Sequence, residues 1–358
     1  MVIQLTPVSR PSYSGTGQGH DRRSRSRRGA RARANLWRLE VSLSAVVMVV
    51  VTFALTAWPG ASPARPMPVG LSLVRSGLAS ADPFDRPVPN RDLLDHYVFN
   101  GSAAAGVGWV KAEGQGLEVG VRPHQSWAGW FAVTLRAVGA DMVWHAVVSK
   151  PPNAVGSGVG EAVLAVQSAS TQRNGSINYV VVASVSSRGK STWQVGSAHG
   201  FVANAITDRL WQGPSRADAP ATEPVTIRTD GRHTLTVWLG DRQVYSSHHL
   251  HMNDPPPFQA YLEVQGRDIG YVAKFNDFWV AAAAPVIVTG VPPRARVTLD
   301  TGQGPVIATA DATGQAALRV PSPALVGTGT LTVADGSGTR HFRDLHYSGG
   351  DIVHVAAP

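Results

Sequence analysis

The chain has 358 residues, of which 43% are hydrophobic and only 16% charged, and its 37 Gly and 25 Pro favour turns and short strands over long helices. It has no cysteine, which excludes disulfides, thiolate nucleophiles and Cys-ligated zinc. The net charge of +8 arises almost wholly in residues 1–40, where nine Arg face two acids; elsewhere 23 basic and 22 acidic residues nearly cancel, so the body has no charge excess to draw nucleic acid.

The N-terminal stretch "DRRSRSRRGARARANLWRLE" runs into "VSLSAVVMVVVTFALTAW", an uncharged run of 18 residues from Val41 to Trp58. As a helix this is just long enough to cross a hydrocarbon layer of about 30 Å. Trp37 and Trp58 bracket it as interfacial aromatics do, and the Arg cluster on one side follows the positive-inside rule. The expectation is an Arg-rich cytoplasmic tail over 1–36 that attracts anionic lipid. A transmembrane helix follows over 37–60, with everything beyond it extracytoplasmic. A cleaved secretory signal is the alternative, with "SPA" ending at Ala64 or "ASA" ending at Ala81 as the cleavage motif; the length of the apolar run favours the anchor. Residues 61–95, rich in Pro, Arg, Ser and Gly, read as an extended linker.

From His96 the pattern changes to period 2. The segments 116–122, 130–135, 142–149, 161–169, 177–185, 191–197, 224–229, 233–239, 242–247, 259–265 and 271–275 are β-branched or aromatic and are separated by Gly, Pro, Asn or Asp. "RNGS" (173–176) and "LGDR" (239–242) read as hairpin turns. This rhythm, without a convincing helix, predicts an all-β fold of two packed antiparallel sheets over 96–284. At the end of it, Phe275 lies on one parity and Phe278 with Val280 on the other. Burying all three requires an extra residue, a bulge at Asn276–Asp277.

"DGRHTLTVWLGDRQVYSS", "PFQAYLEVQG" and "YVAKFNDFWV" together resemble the last third of a concanavalin-A-like (laminin-G-like) jelly roll, over residues 230–280. From 96 to 229 only strand rhythm and length agree. The resemblance implies a concanavalin-A-like sandwich and brings extracellular or cell-wall glycan forward as the ligand class. After "AAAAP" (281–285), "PVIVTGVPPRARVTLDTGQGPVIATADATGQAALRVP" resembles the small Ig-like modules of bacterial surface proteins, which implies an Ig-like β-sandwich over 285–358 serving as spacer or docking surface. The boundary separates a Trp-rich unit from a Trp-free one.

Three kinds of site are weighed. In "SSHHLHMNDPPPF", His249 and His251 share a strand face, a spacing that chelates zinc once a third ligand such as His233 or Asp254 is added; the alternative is a polar strand end entering a Pro-rich turn. Glycoside hydrolysis needs two carboxylates on one face, yet Glu113, Glu118, Glu161, Glu223 and Glu263 include no i, i+2 or i, i+4 pair. Neither "TGQGHD" nor "VGSGVGE" joins a strand to a helix, so no phosphate-bearing cofactor is expected. For binding, Trp238 lies on the polar parity of its strand, and Tyr261, Glu263 and Gln265 on that of theirs. If these faces coincide, they form an aromatic platform with hydrogen-bonding groups suited to a sugar ring. Non-catalytic glycan recognition is thus the preferred expectation, with a polysaccharide-cleaving enzyme or a structural envelope component as alternatives.

Overall fold

The computed structural model describes residues 67–75, 80–82, 94–98, 108–113, 116–123, 125, 128–133, 141–150, 158–168, 178–199, 208–250 and 258–357. The Arg-rich tail, the apolar run Val41–Trp58, the turn at 173–176, His251 and Asp254 lie outside them. Among the described residues, no helix is long and apolar enough to cross a membrane.

The N-terminal strands are β1 (Leu71–Val74), β2 (Ser80–Asp82) and β3 (Leu94–Val98). The next set is β4 (Gly108–Glu113), β5 (Gly116–Val121), β6 (Ala128–Val133), β7 (Met142–Ser149), β8 (Val159–Ser168), β9 (Asn178–Ser187), β10 (Lys190–His199), β11 (Asp208–Gln212), β12 (Thr222–Thr229), β13 (Leu235–Leu239), β14 (Arg242–Ser247), β15 (Phe258–Arg267) and β16 (Tyr271–Ala282). The last set is β17 (Val286–Thr289), β18 (Arg296–Asp300), β19 (Pro305–Thr309), β20 (Ala316–Leu318), β21 (Val326–Asp335), β22 (Gly338–Ser348) and β23 (Ile352–Val355).

One sheet runs β14-β13-β12-β7-β16-β5-β4, with β2 on β16 as its eighth strand; the other has seven strands in the order β11-β10-β9-β8-β15-β6-β3. The chain changes sheets between β2 and β3, β3 and β4, β5 and β6, β6 and β7, β7 and β8, β11 and β12, β14 and β15, and β15 and β16, a jelly-roll-like exchange. Their inner faces share one core, in which Trp144, Ile227, Leu235 and Phe275 of the eight-stranded sheet meet Leu164, Val182, Phe258 and Leu262 of the other. Each such burial contributes roughly 1.5–3 kcal/mol, which holds the sheets face to face. The β9–β10 hairpin turns through Arg188 (φ 50) and Gly189 (φ 71), and the "LGDR" hairpin through Gly240 (φ 56). Both turns use the left-handed backbone that matches strand twist.

The bulge required by parity is present. Pairing of β16 with β7 shifts register between Asn276 and Trp279, and Asp277 takes φ 48. Phe275, Phe278 and Val280 all enter the sandwich core, while Trp279 and Ala281 face the opposite way.

Two expectations about organisation are revised. Part of the presumed linker is structured: β1 pairs antiparallel with β23, and Leu71, Leu73 and Met67 pack on the C-terminal core. The alternation in "LSLV" supplies the inward Leu pair that composition alone obscured. Arg75 Nη1 then donates to the fully buried Asp351 carboxylate at 2.7 Å. The second revision concerns the boundary drawn at 281–285. Residues 286–355, together with β1, build two four-stranded sheets, β1-β23-β17-β20 and β19-β18-β21-β22. Their core, with Val288, Leu299, Leu331, Tyr347 and Val353, also takes in Val143, Trp279 and Ala281 from the outer face of the eight-stranded sheet. The sandwich and the C-terminal unit therefore share a hydrophobic cluster.

Candidate functional site

β8 and β15 lie side by side in the seven-stranded sheet. On β15 the inward Ala260, Leu262 and Val264 belong to the sandwich core, so the alternation turns Tyr261, Glu263 and Gln265 outward. On β8, Ala162, Leu164 and Val166 face inward and leave Glu161, Val163 and Ala165 outside. The outer face carries its own buried cluster of Phe131, Val163, Ala165, Val181, Ala183 and Tyr261. The Phe131 and Tyr261 rings tilt against each other at 52° with centroids 5.1 Å apart.

The register places Gln265 opposite Glu161 and Glu263 opposite Val163. Glu161 and Glu263 are therefore diagonal neighbours, a relationship that sets Cα atoms about 7–8 Å apart. Gln265 Nε2 donates to Glu263 Oε1 at 2.7 Å, and Gln259 Nε2 donates to Tyr261 Oη at 2.8 Å. Glu263 is 4% exposed and Gln265 2%, while Glu161 is half-buried. Burial pushes the Glu161 carboxyl up to about 7. It pushes Glu263 up to about 8, against the opposing pull of the Gln265 hydrogen bond. A neutral carboxyl both donates and accepts, so this row of two carboxyls and an amide matches the mixed hydrogen-bonding of hydroxyl groups.

Of the residues singled out by sequence, Tyr261, Glu263 and Gln265 come together here, and Trp238 does not. Trp238 is on β13 of the other sheet, half-buried, opposite Thr226 and Gln243. Its polar-face parity is as expected, since Leu235, Val237 and Leu239 are buried beside it. Parity tells which way a side chain points from its own sheet but not which sheet the strand joins. The four residues therefore form no common platform.

Sequence reasoning missed Glu161 as a partner of Glu263. A search along single strands cannot see it, because the outward positions after Glu161 are the apolar Val163 and Ala165 and the second acid comes from the neighbouring strand. Only the pairing of β8 with β15 reveals it; the isolated Glu in "GSGVGEAV" was the available signal.

The described part of the histidine stretch, His248 to Leu250, lies off the strands. β14 ends at Ser247, and His248 and His249 are exposed, with Ser247 Oγ accepting from the His249 N–H at 3.1 Å. Leu250 is buried and its N–H donates to the carbonyl of His233 at 2.9 Å. His249 is thus placed by a turn rather than by strand alternation. Among the described residues, no three His, Cys, Asp or Glu side chains gather to hold a metal ion.

No family model and no curated protein sequence matches the chain. Solved structures do resemble its architecture. One comes from work on endo-acting O-glycanases of human gut microbiota: 14% identity, TM-score 0.40, covering 56% of this chain and 96% of that one. A non-specific endo-β-1,3(4)-glucanase of family GH16 is 11% identical with TM-score 0.38, over 60% of this chain and 92% of its own. A pseudo β-1,3-glucanase antigen of Mycobacterium tuberculosis is 14% identical with TM-score 0.38, over 57% and 97%. Likeness at this level assigns neither a family nor an activity to the chain.

Proposed function

We propose that this is a membrane-anchored, extracytoplasmic recognition protein whose seven-stranded sheet binds glycan on its outer face. The observation that carries the reading is the row Glu161, Glu263 and Gln265 beside the Tyr261–Phe131 pair. Sugars present hydroxyls around a ring with apolar C–H faces, and the row supplies mixed donors and acceptors next to a largely buried aromatic pair. Glu161, the more exposed of the two acids, is the first group a ligand meets. The anchor reading is supported by the Arg-rich tail and the apolar run Val41–Trp58, and lipid is the partner it implies. The concanavalin-A-like reading of the sandwich is supported by the two facing sheets and their strand exchange. The Ig-like reading of the C-terminal unit is supported by its two four-stranded sheets and the parallel pairing of β17 with β23.

A second reading, glycoside hydrolysis, is favoured by one feature of the same site. Burial raises both carboxyls, to about 7 and about 8, so each holds its proton toward neutral pH, as the general acid of glycoside cleavage must. A glycan array probed with residues 67–358, with product analysis of each bound glycan, separates the two. Binding without release of shorter sugars is the expected result; shortened products would establish hydrolysis, and no binding would remove both.

A further inference from the structure

The bulge in β16 shapes a second place on the molecule. Between the eight-stranded sheet and the C-terminal unit is a cleft of ≈ 260 Å³, whose lining includes His145, Asp277 and Trp279 on one side and Thr301, Gln303 and Tyr347 on the other. His145 is fixed from both flanks, since its strand register pairs it with Thr226 on β12 and with Trp279 on β16. Its ring stacks on the Trp279 indole at 4.8 Å and 12°. Its Nδ1 is 2.9 Å from Thr226 Oγ1. The residue is 6% exposed, and burial keeps the imidazole neutral, with its pKa lowered to about 4.

The remaining ring nitrogen is the informative atom. His145 Nε2 and Asp277 Oδ2 are 3.9 Å apart, too far for a hydrogen bond. The carboxylate is 71% exposed and is held at the cleft by the left-handed backbone of the bulge. A neutral imidazole with its proton on Nε2, facing the carboxylate, leaves Nδ1 to accept from the Thr226 hydroxyl. The cleft then presents a donor and an acceptor with a gap between them. One hydroxyl oxygen about 2.8 Å from each fits that gap, accepting from Nε2–H and donating to the carboxylate. Across the cleft, the Gln303 amide offers a further donor and acceptor from the second unit. The volume is below the range of about 300–1,000 Å³ typical of drug-sized ligands, which limits the occupant to something small.

We propose that this cleft is a second ligand site, for one neutral sugar unit, with a sugar hydroxyl bridging His145 and Asp277. It is independent of the site on the seven-stranded sheet. Saturation-transfer NMR on residues 67–358 with glucose, N-acetylglucosamine and glycerol tests it. Asp277→Asn preserves shape and suits a positive φ, so the bulge stays intact while the charged acceptor is lost. Gln303→Ala alters an exposed turn and cannot disturb the core. The expected result, read in a Glu263→Gln background that weakens the site on the seven-stranded sheet, is transfer to at least one of the two sugars, weakened fivefold or more by each variant. The proposal is overturned by no transfer at millimolar sugar in that background, by transfer to glycerol alone, or by transfer that both variants leave untouched.

Discussion

Glu263 stands diagonally across from Glu161, one strand over, and the Gln265 that faces Glu161 in the register donates to Glu263 at 2.7 Å. Both acids keep their protons to higher pH in the folded chain, to about 7 and about 8, than the 4.5 at which the unfolded chain releases them. In between, the unfolded state binds fewer protons, so these groups lower stability as pH rises, by up to about 1.4 kcal/mol per pH unit for each group. His145 acts oppositely between about 4 and 6.5, because there the unfolded chain binds more protons. The two effects oppose each other in acid, and above pH 6.5 the carboxyls act without His145. The melting temperature should therefore fall from pH 6.5 to 8, and Glu263→Gln should flatten that fall. A melting temperature that climbed through the interval would contradict the buried pair.

Trp238→Ala should cost little stability, because the ring is half-buried on the outer side of the eight-stranded sheet and its removal leaves no core cavity. It should also leave glycan binding unchanged, since Trp238 is on the sheet opposite to Tyr261 and Glu263. Loss of binding in this variant would move the site to the other sheet.

Residues 90–284 expressed alone should aggregate or melt well below the chain 67–358. The shorter piece uncovers Val143, Trp279 and Ala281 and lacks β2, which pairs with Phe278–Val280. Within the longer chain, Arg75→Ala should cost about 1.5–3 kcal/mol, the range for a hydrogen bond to a charged group, because it strips a partner from the buried Asp351. Thermal melts of the three proteins check both statements.

Gly160→Ala should destabilise the sandwich by about 1–3 kcal/mol, the usual cost of overpacking. A Cβ there would meet the Tyr271 ring at 2.1 Å, and that ring is anchored by its hydroxyl to Ser186 at 2.9 Å. Equal melting temperatures for variant and parent would show that the ring moves aside.

The fold was largely legible because its strands alternate cleanly. "HTLTVWL" and "QAYLEVQ" declare their buried faces, and the conflict between Phe275 and Phe278 announced the bulge at Asp277. β1 was hidden because four residues in a Pro- and Gly-rich stretch carry little periodicity and gain their stability from β23, almost 300 positions away in the chain. The site was half legible for a related reason. Parity identified Tyr261, Glu263 and Gln265 as outward, but partnership across strands is set by sheet order, a long-range property of packing. Trp238 was therefore grouped with the wrong sheet, and Glu161 was overlooked beside the right one.

The most direct test of the glycan site is a calorimetric titration of residues 67–358 with the strongest glycan from the array, repeated with Glu161→Gln and Glu263→Gln. Each change keeps the shape of the side chain and fixes it neutral, replacing a carboxyl oxygen that can donate or accept with an amide NH2 that only donates. Both variants should fold and bind at least about tenfold more weakly, a loss of about 1.4 kcal/mol, while Trp238→Ala binds like the parent. Parent-like affinity in both Gln variants would contradict a glycan site on the outer face of the seven-stranded sheet.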